Sequence, residues 1–191
     1  MTTVIEISPG SAPDHLQGEI DKLSAAGGGQ VRLLPGQHVC GPLQLKSDID
    51  LHLEDGAVLS PLPDHALYGA NTSTIPVEGS ERCMILGQNL ENVSITGLGT
   101  IDGGGRHFVA GDDEEAGVYI PREPRLRTVV LEESRNVRVE QLTLREASSW
   151  TMHLIHCTNV TVDGYKVLND MRMPNTDGLV LDGCVNVSVR N

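Results

Sequence analysis

The side chains best suited to act together lie late in the chain: His153, Arg172, Asp177 and Asp182, with Asn175 just before Asp177 and Trp150 just before His153. A carboxylate such as Asp177 can take a proton from water, and a guanidinium such as Arg172 can hold an anionic group through paired hydrogen bonds. The Trp150 indole offers a flat apolar face on which a sugar could stack. Each residue also has a plainer reading. Asp177 is placed where an aspartate commonly shapes a turn before a strand. Asp182 could be a solvated surface acid, His153 a sheet-surface histidine, Arg172 a loop arginine and Trp150 a packing residue. Choosing between these readings requires the elements that carry them.

Those elements show themselves as a repeat. Asn-Val recurs at Asn92-Val93, Asn136-Val137, Asn159-Val160 and Asn186-Val187, each followed by alternating residues such as Val137-Arg138-Val139 and Val160-Thr161-Val162. Seven residues before each asparagine lies another short apolar segment, beginning at Ile85, Val129, Met152 and Leu179. Leu142-Thr143-Leu144 and Tyr165-Lys166-Val167 supply third strands. Short strands recurring at this period form a β-solenoid, in which one rung buries its apolar face only by stacking on the next. Strand alternation sends Val129, Leu131, Met152, Leu154, Leu179 and Leu181 inward. It sends Val130, Glu132, His153, Ile155, Val180 and Asp182 outward. The turn asparagines suit the left-handed backbone of a sharp bend and can hydrogen-bond from rung to rung.

The expected architecture is therefore all-β, a single parallel β-helix domain over residues 1–191. Asp14-His15-Leu16-Gln17 has the form of a capping box, and Leu16, Ile20 and Leu23 follow at helical spacing, so residues 14–27 are read as a helix capping the solenoid. The first strands occupy 30–59, as Gln30–Leu34, Val39–Leu45 and Ile49–Leu53. Residues 60–80 and 103–125, rich in Gly, Pro and charge, are insertions of the kind that wall a groove. Regular rungs fill 127–191. The last is incomplete, which leads to the expectation of a truncated C-terminus and of self-association through an uncapped edge.

Bulk properties narrow the partners. A formal charge of −12 argues against nucleic acid and anionic membranes. No apolar run is long enough to cross a bilayer. The start, Met1-Thr2-Thr3-Val4-Ile5-Glu6, lacks a signal-peptide pattern. The chain as written is thus expected to be cytoplasmic, or secreted or periplasmic if that start is a mature or altered one. Cys40, Cys83, Cys157 and Cys184 contain no CxxC pair. They are expected to be reduced, buried thiols, with Cys157 and Cys184 stacked on adjacent rungs.

Several segments together carry a family resemblance: Gly27-Gly28-Gly29-Gln30-Val31, Leu34-Pro35-Gly36, Gly41-Pro42-Leu43-Gln44-Leu45-Lys46-Ser47 and Leu51-His52-Leu53-Glu54-Asp55-Gly56-Ala57. Ile95-Thr96-Gly97-Leu98-Gly99-Thr100-Ile101-Asp102-Gly103, Ser148-Ser149-Trp150-Thr151-Met152-His153 and, most specifically, Asn175-Thr176-Asp177-Gly178 complete the set. In this order they resemble family 28 glycoside hydrolases, the polygalacturonases, from about residue 14 onward. The resemblance implies a right-handed parallel β-helix that hydrolyses α-1,4 galacturonide bonds with inversion, acting on polygalacturonate or oligogalacturonides without a cofactor or metal. It assigns Asp177 to water activation and Asn175 to positioning, as the catalytic pair. His153, Arg172 and Asp182 are the substrate-binding candidates. The family's Asp-Asp pair, Gly-His-Gly and Arg-x-Lys have no counterpart at matching places, so the general acid is missing from the chain. Asp112-Asp113 lies upstream of the motif and is not a substitute. Val180 stands where family members often have an acid.

Two other functions remain open on the same fold. One is a non-catalytic β-helix that binds anionic polysaccharide or serves as a structural module. The other is a calcium-dependent pectate lyase, which needs clustered acids around a metal and a basic residue for proton abstraction; no such cluster falls on one sheet face.

Overall fold

The computed structural model describes residues 2–191, leaving Met1 outside the described residues. Three parallel sheets run along one right-handed β-helix. The first contains Val4–Ile7, Gly29–Leu33, Ile49–Leu53, Glu91–Thr96, Arg135–Glu140, Thr158–Asp163 and Val185–Arg190. The second contains Gly36–Cys40, Ala57–Pro61, Thr100–Asp102, Thr143–Arg145 and Lys166–Leu168. The third, which carries the candidate site, contains Leu43–Gln44, Ser80–Gln88, Arg127–Glu132, Met152–Ile155 and Val180–Asp182.

The repeat aligns as read. Val129 pairs with Met152 and Leu131 with Leu154, while His153 pairs with Val180 and Ile155 with Asp182. Val129, Leu131, Met152 and Leu154 are buried in the main core, and Leu179 packs against it. Leu181 shares their parity but is 41% exposed on the last described rung. Val, Ile and Leu dominate this core because branched side chains stack well on parallel strands, and each fully buried one is worth about 1.5–3 kcal/mol.

The turn asparagines form a continuous ladder. Asn186 donates to Asn159 (2.7 Å), Asn159 to Asn136 (3.1 Å), Asn136 to Asn92 (2.9 Å) and Asn92 to Asp48 (2.8 Å). An amide can accept from one rung and donate to another, whereas the Asp48 carboxylate only accepts and so ends the chain. All five residues have positive φ, between 55° and 60°.

Several boundaries differ from the sequence reading. The helix runs His15–Ala25 and buries Leu16, Ile20 and Leu23, but Asp14 makes no side-chain cap. Gln17 instead exchanges hydrogen bonds with the Gln44 backbone, fastening the helix to the third sheet (2.8 and 3.1 Å). The expected strand 39–45 breaks at Gly41-Pro42, where the chain turns from the second sheet to the third. A strand at Val4–Ile7, unassigned from sequence, pairs with Gly29–Leu33. Glycine is required where rungs approach closely: a Cβ on Gly97, at φ 106°, would lie 2.0 Å from the Leu53 carbonyl oxygen.

Both insertions are ordered excursions. Thr72–Val77 pairs antiparallel with the start of Ser80–Gln88, and Val109–Asp113 pairs antiparallel with Val118–Pro121.

Candidate functional site

Asp177 sits on the loop leading into Val180–Asp182. Asn175 occupies the left-handed region (φ 60°), which turns the chain sharply into the motif. The loop is stitched to the preceding rung through its backbone. Thr151 N–H donates to the Asp177 carbonyl (2.8 Å) and Asn169 Nδ2 to that of Thr176 (2.9 Å). The Tyr165 hydroxyl donates to the carbonyl of Gly178 (2.7 Å). These bonds use main-chain oxygens and leave the Asp177 carboxylate exposed to solvent. An open depression of about 570 Å³ is lined by Asn175, Thr176 and Asp177 together with Asn169, Met173 and Val167.

Arg125, which the sequence reading passed over, holds the motif from below. Only 4% of it is exposed. Its Nη1 donates to the carbonyls of Pro174 (2.9 Å) and Ser148 (3.3 Å), and its Nη2 to Asn175 Oδ1 (3.2 Å). Glu123 neutralises it at 2.8 Å. Asn175 therefore acts within the protein, presenting its side-chain oxygen to Arg125. The only sequence hint was the arginine's position at the edge of an insertion.

His153 corrects an expectation. Its parity does point it out of the solenoid, but the side chain is fully buried, against Arg127 and Trp150, and lines no open groove. Arg127 Nη1 lies 3.0 Å from its Nδ1. Because arginine only donates, Nδ1 is the acceptor and Nε2 carries the proton. Nε2 has no hydrogen-bond partner and stands 3.9 Å from the exposed Asp182 carboxylate. Burial, reinforced by the Arg127 charge, lowers the His153 pKa to about 4. Trp150 meets the imidazole edge-on at 4.8 Å with its own Nε1 buried, so it packs as part of the wall.

Arg172 is likewise not a free anion receptor. Its guanidinium pairs with Asp112 and lies over the Tyr119 ring, 4.3 Å from the centroid. Arg106 approaches the same ring at 5.3 Å and pairs with Asp170 at 2.6 Å. The 109–121 hairpin is thereby fixed to the loop that precedes the motif. Of the five residues expected at the site, Asn175 and Asp177 share one loop, Asp182 ends the strand after it, and His153 and Arg172 are engaged in the walls.

A second buried polar group lies on the outer face of the third sheet. The Glu132 carboxylate accepts from Ser73 Oγ, from the Thr74 backbone N–H (3.0 Å) and from Gln88 Nε2 (2.7 Å). Burial alone would raise its pKa, but these hydrogen bonds outweigh burial and hold it below the ordinary value. No group of three or more His, Cys, Asp or Glu is placed to hold a metal among the described residues.

The family model for glycosyl hydrolases family 28 matches residues 55–191. The chain belongs to glycosyl hydrolases family 28. A probable polygalacturonase of Vitis vinifera is 30% identical over 190 residues, covering 91% of this chain and 36% of that protein. The family 28 chain thus spans about a third of the length of this relative. Solved structures share the fold. The exopolygalacturonase of Thermotoga maritima matches with a TM-score of 0.75 and 21% identity over 98% of this chain and 55% of its own. The polygalacturonase of Erwinia carotovora matches with a TM-score of 0.78 and 18% identity over 98% and 54%.

Proposed function

We propose that this family 28 chain carries the water-activating side of a hydrolase that cleaves α-1,4-galacturonide bonds in pectin or its oligosaccharides with inversion. The observation that carries the reading is the Asp177 carboxylate, exposed on a loop whose backbone is tied to the neighbouring rung and to Arg125. A base held in this way is oriented before substrate arrives, which is how positioning lowers a barrier. Asp177 takes a proton from water as the water oxygen bonds to the anomeric carbon. The glycosidic C–O bond breaks, and the leaving oxygen receives a proton from a general acid on the opposite side. Asn175 and Arg125 position the loop, and Asp182 lies where it can contact substrate. The family relationship and the relatives named as polygalacturonases support a polygalacturonate-type substrate.

In this reading the general acid is not among residues 1–191, because Asp112 is taken up by Arg172 and no other Asp-Asp pair exists. The test compares reducing-end release from polygalacturonate by this chain and by the full product of its gene, each with Asp177 intact and as Asp177→Asn. Hydrolysis by the full product, lost in Asp177→Asn with glycan binding retained, supports the reading. Hydrolysis by the 191-residue chain alone overturns the missing acid. Binding without hydrolysis by either protein favours a non-catalytic polysaccharide-binding β-helix.

A further inference from the structure

On a bare solenoid, the outward residues of the third sheet would form a continuous exposed strip along the stacking direction. That strip would be available to a long polymer lying over successive rungs. Here it is sealed on one side of Asp177. The residues stacked before Val180 are His153, Val130 and Leu86, which are 0%, 0% and 3% exposed. Those stacked before Asp182 are Ile155 and Glu132, at 1% and 3%.

The cover is the hairpin Thr72–Cys83. Ile75 closes a small apolar cluster of Cys83, Leu86, Val130 and Ile155 that lies outside the solenoid's main core. Two buried charged residues rise from the sheet to hold the hairpin down. Arg127 Nη2 donates to the Ile75 carbonyl (2.9 Å), and Glu132 accepts from Ser73 and Thr74. Each also keeps a partner on the sheet, Arg127 with His153 (3.0 Å) and Glu132 with Gln88 (2.7 Å), so charge-assisted hydrogen bonds tie the hairpin to the outer face of the sheet. The cover is therefore a fixed wall. A second wall stands beside the motif, where Tyr119 N–H donates to the Arg172 carbonyl (2.7 Å).

The covered surface begins at His153, which is paired with Val180 on the next rung, one strand spacing, about 4.8 Å, away. A glycan crossing Asp177 along the stacking direction finds room for a terminal sugar on that side and none for a continuing chain. We propose that the 72–83 hairpin makes this site end-specific, so that the protein engages a galacturonan at a chain terminus and not within the chain. The inference rests on the galacturonan reading above.

Calorimetric titration of galacturonans of graded length tests it without requiring turnover. The expected result is one protein bound per glycan chain at every length. Protein bound in proportion to chain length, as an open cleft gives, overturns end specificity and leaves the galacturonan reading standing. If no galacturonan binds at any length, the substrate reading itself fails and the inference falls with it. A digest of polygalacturonate by the full gene product gives a second readout. A single short product from the start, with viscosity falling slowly, is expected. An early ladder of intermediate sizes with rapid loss of viscosity overturns the inference.

Discussion

Arg127 Nη1 lies 3.0 Å from His153 Nδ1, and this contact between two potential cations is buried on the outer face of the third sheet. It is stable only while the imidazole is neutral, because a protonated Nδ1 would turn an acceptor into a second donor facing the guanidinium. Asp182 and Glu132 draw the His153 pKa upward, but burial and Arg127 prevail. The same two residues therefore link the pH response of the fold to the wall that bounds the site.

The unfolded histidine takes up a proton near pH 6.5, whereas the folded one does so only near 4. Between these values the unfolded state binds more protons, so stability falls as pH falls through that window and is fully present above it. The loss is on the order of 2–3 kcal/mol. Denaturant unfolding at about pH 7 and about pH 4.5 should show it, and His153→Gln, which can still accept from Arg127, should show a smaller drop. An identical pH response in wild type and variant would refute this account.

Arg125→Met should disturb the motif more than it disturbs the distant rungs. It leaves the carbonyls of Ser148 and Pro174 and the Asn175 side chain without their donor. Glu123 is half exposed, so no buried charge is stranded, and the expected cost is about 1–3 kcal/mol for a buried acceptor left without its donor. Hydrogen exchange at the amides of residues 175–178 should accelerate, while the amides around Val31 and Leu51 keep their protection. Uniform acceleration throughout the chain would assign Arg125 to general stability alone.

The asparagine ladder gives a third prediction, separating hydrogen bonding from backbone conformation. Asn136 both accepts and donates within the ladder, at φ 56°. Asn136→Ala loses both bonds and forces an alanine into the left-handed region, for about 2–3 kcal/mol in total. Asn136→Gly loses the bonds but is relaxed at positive φ, so about 1 kcal/mol of the loss should return. Chemical denaturation of the two variants measures the difference. Equal losses would mean that backbone strain contributes nothing here.

Much of the scaffold was legible before any coordinates. Strand alternation separated Val129, Leu131, Met152 and Leu154 from Val130, His153 and Ile155, because parallel stacking repeats one parity from rung to rung. The asparagine turns were legible for the same reason, since few residues tolerate that backbone. Less legible was Asp48 as the end of the ladder, because no Asn-Val marks it. The apparent capping box at Asp14 failed because Gln17 found a tertiary partner in Gln44 that no local pattern encodes.

The site divides along the same line. Local residue order placed Asn175 and Asp177 on one loop and Asp182 on the strand after it, since neighbours in a chain stay neighbours in the fold. Only the tertiary structure showed that His153 is buried, that Arg172 is committed to Asp112, and that Arg125 holds the motif. Each of those outcomes depends on an excursion folding back over the solenoid. Parity states which way a side chain leaves a strand, but whether it meets solvent is decided by segments remote in sequence. Ile75 and Ser73 reach the outer face of the third sheet across more than 50 residues of chain, joined there by Arg127 and Glu132.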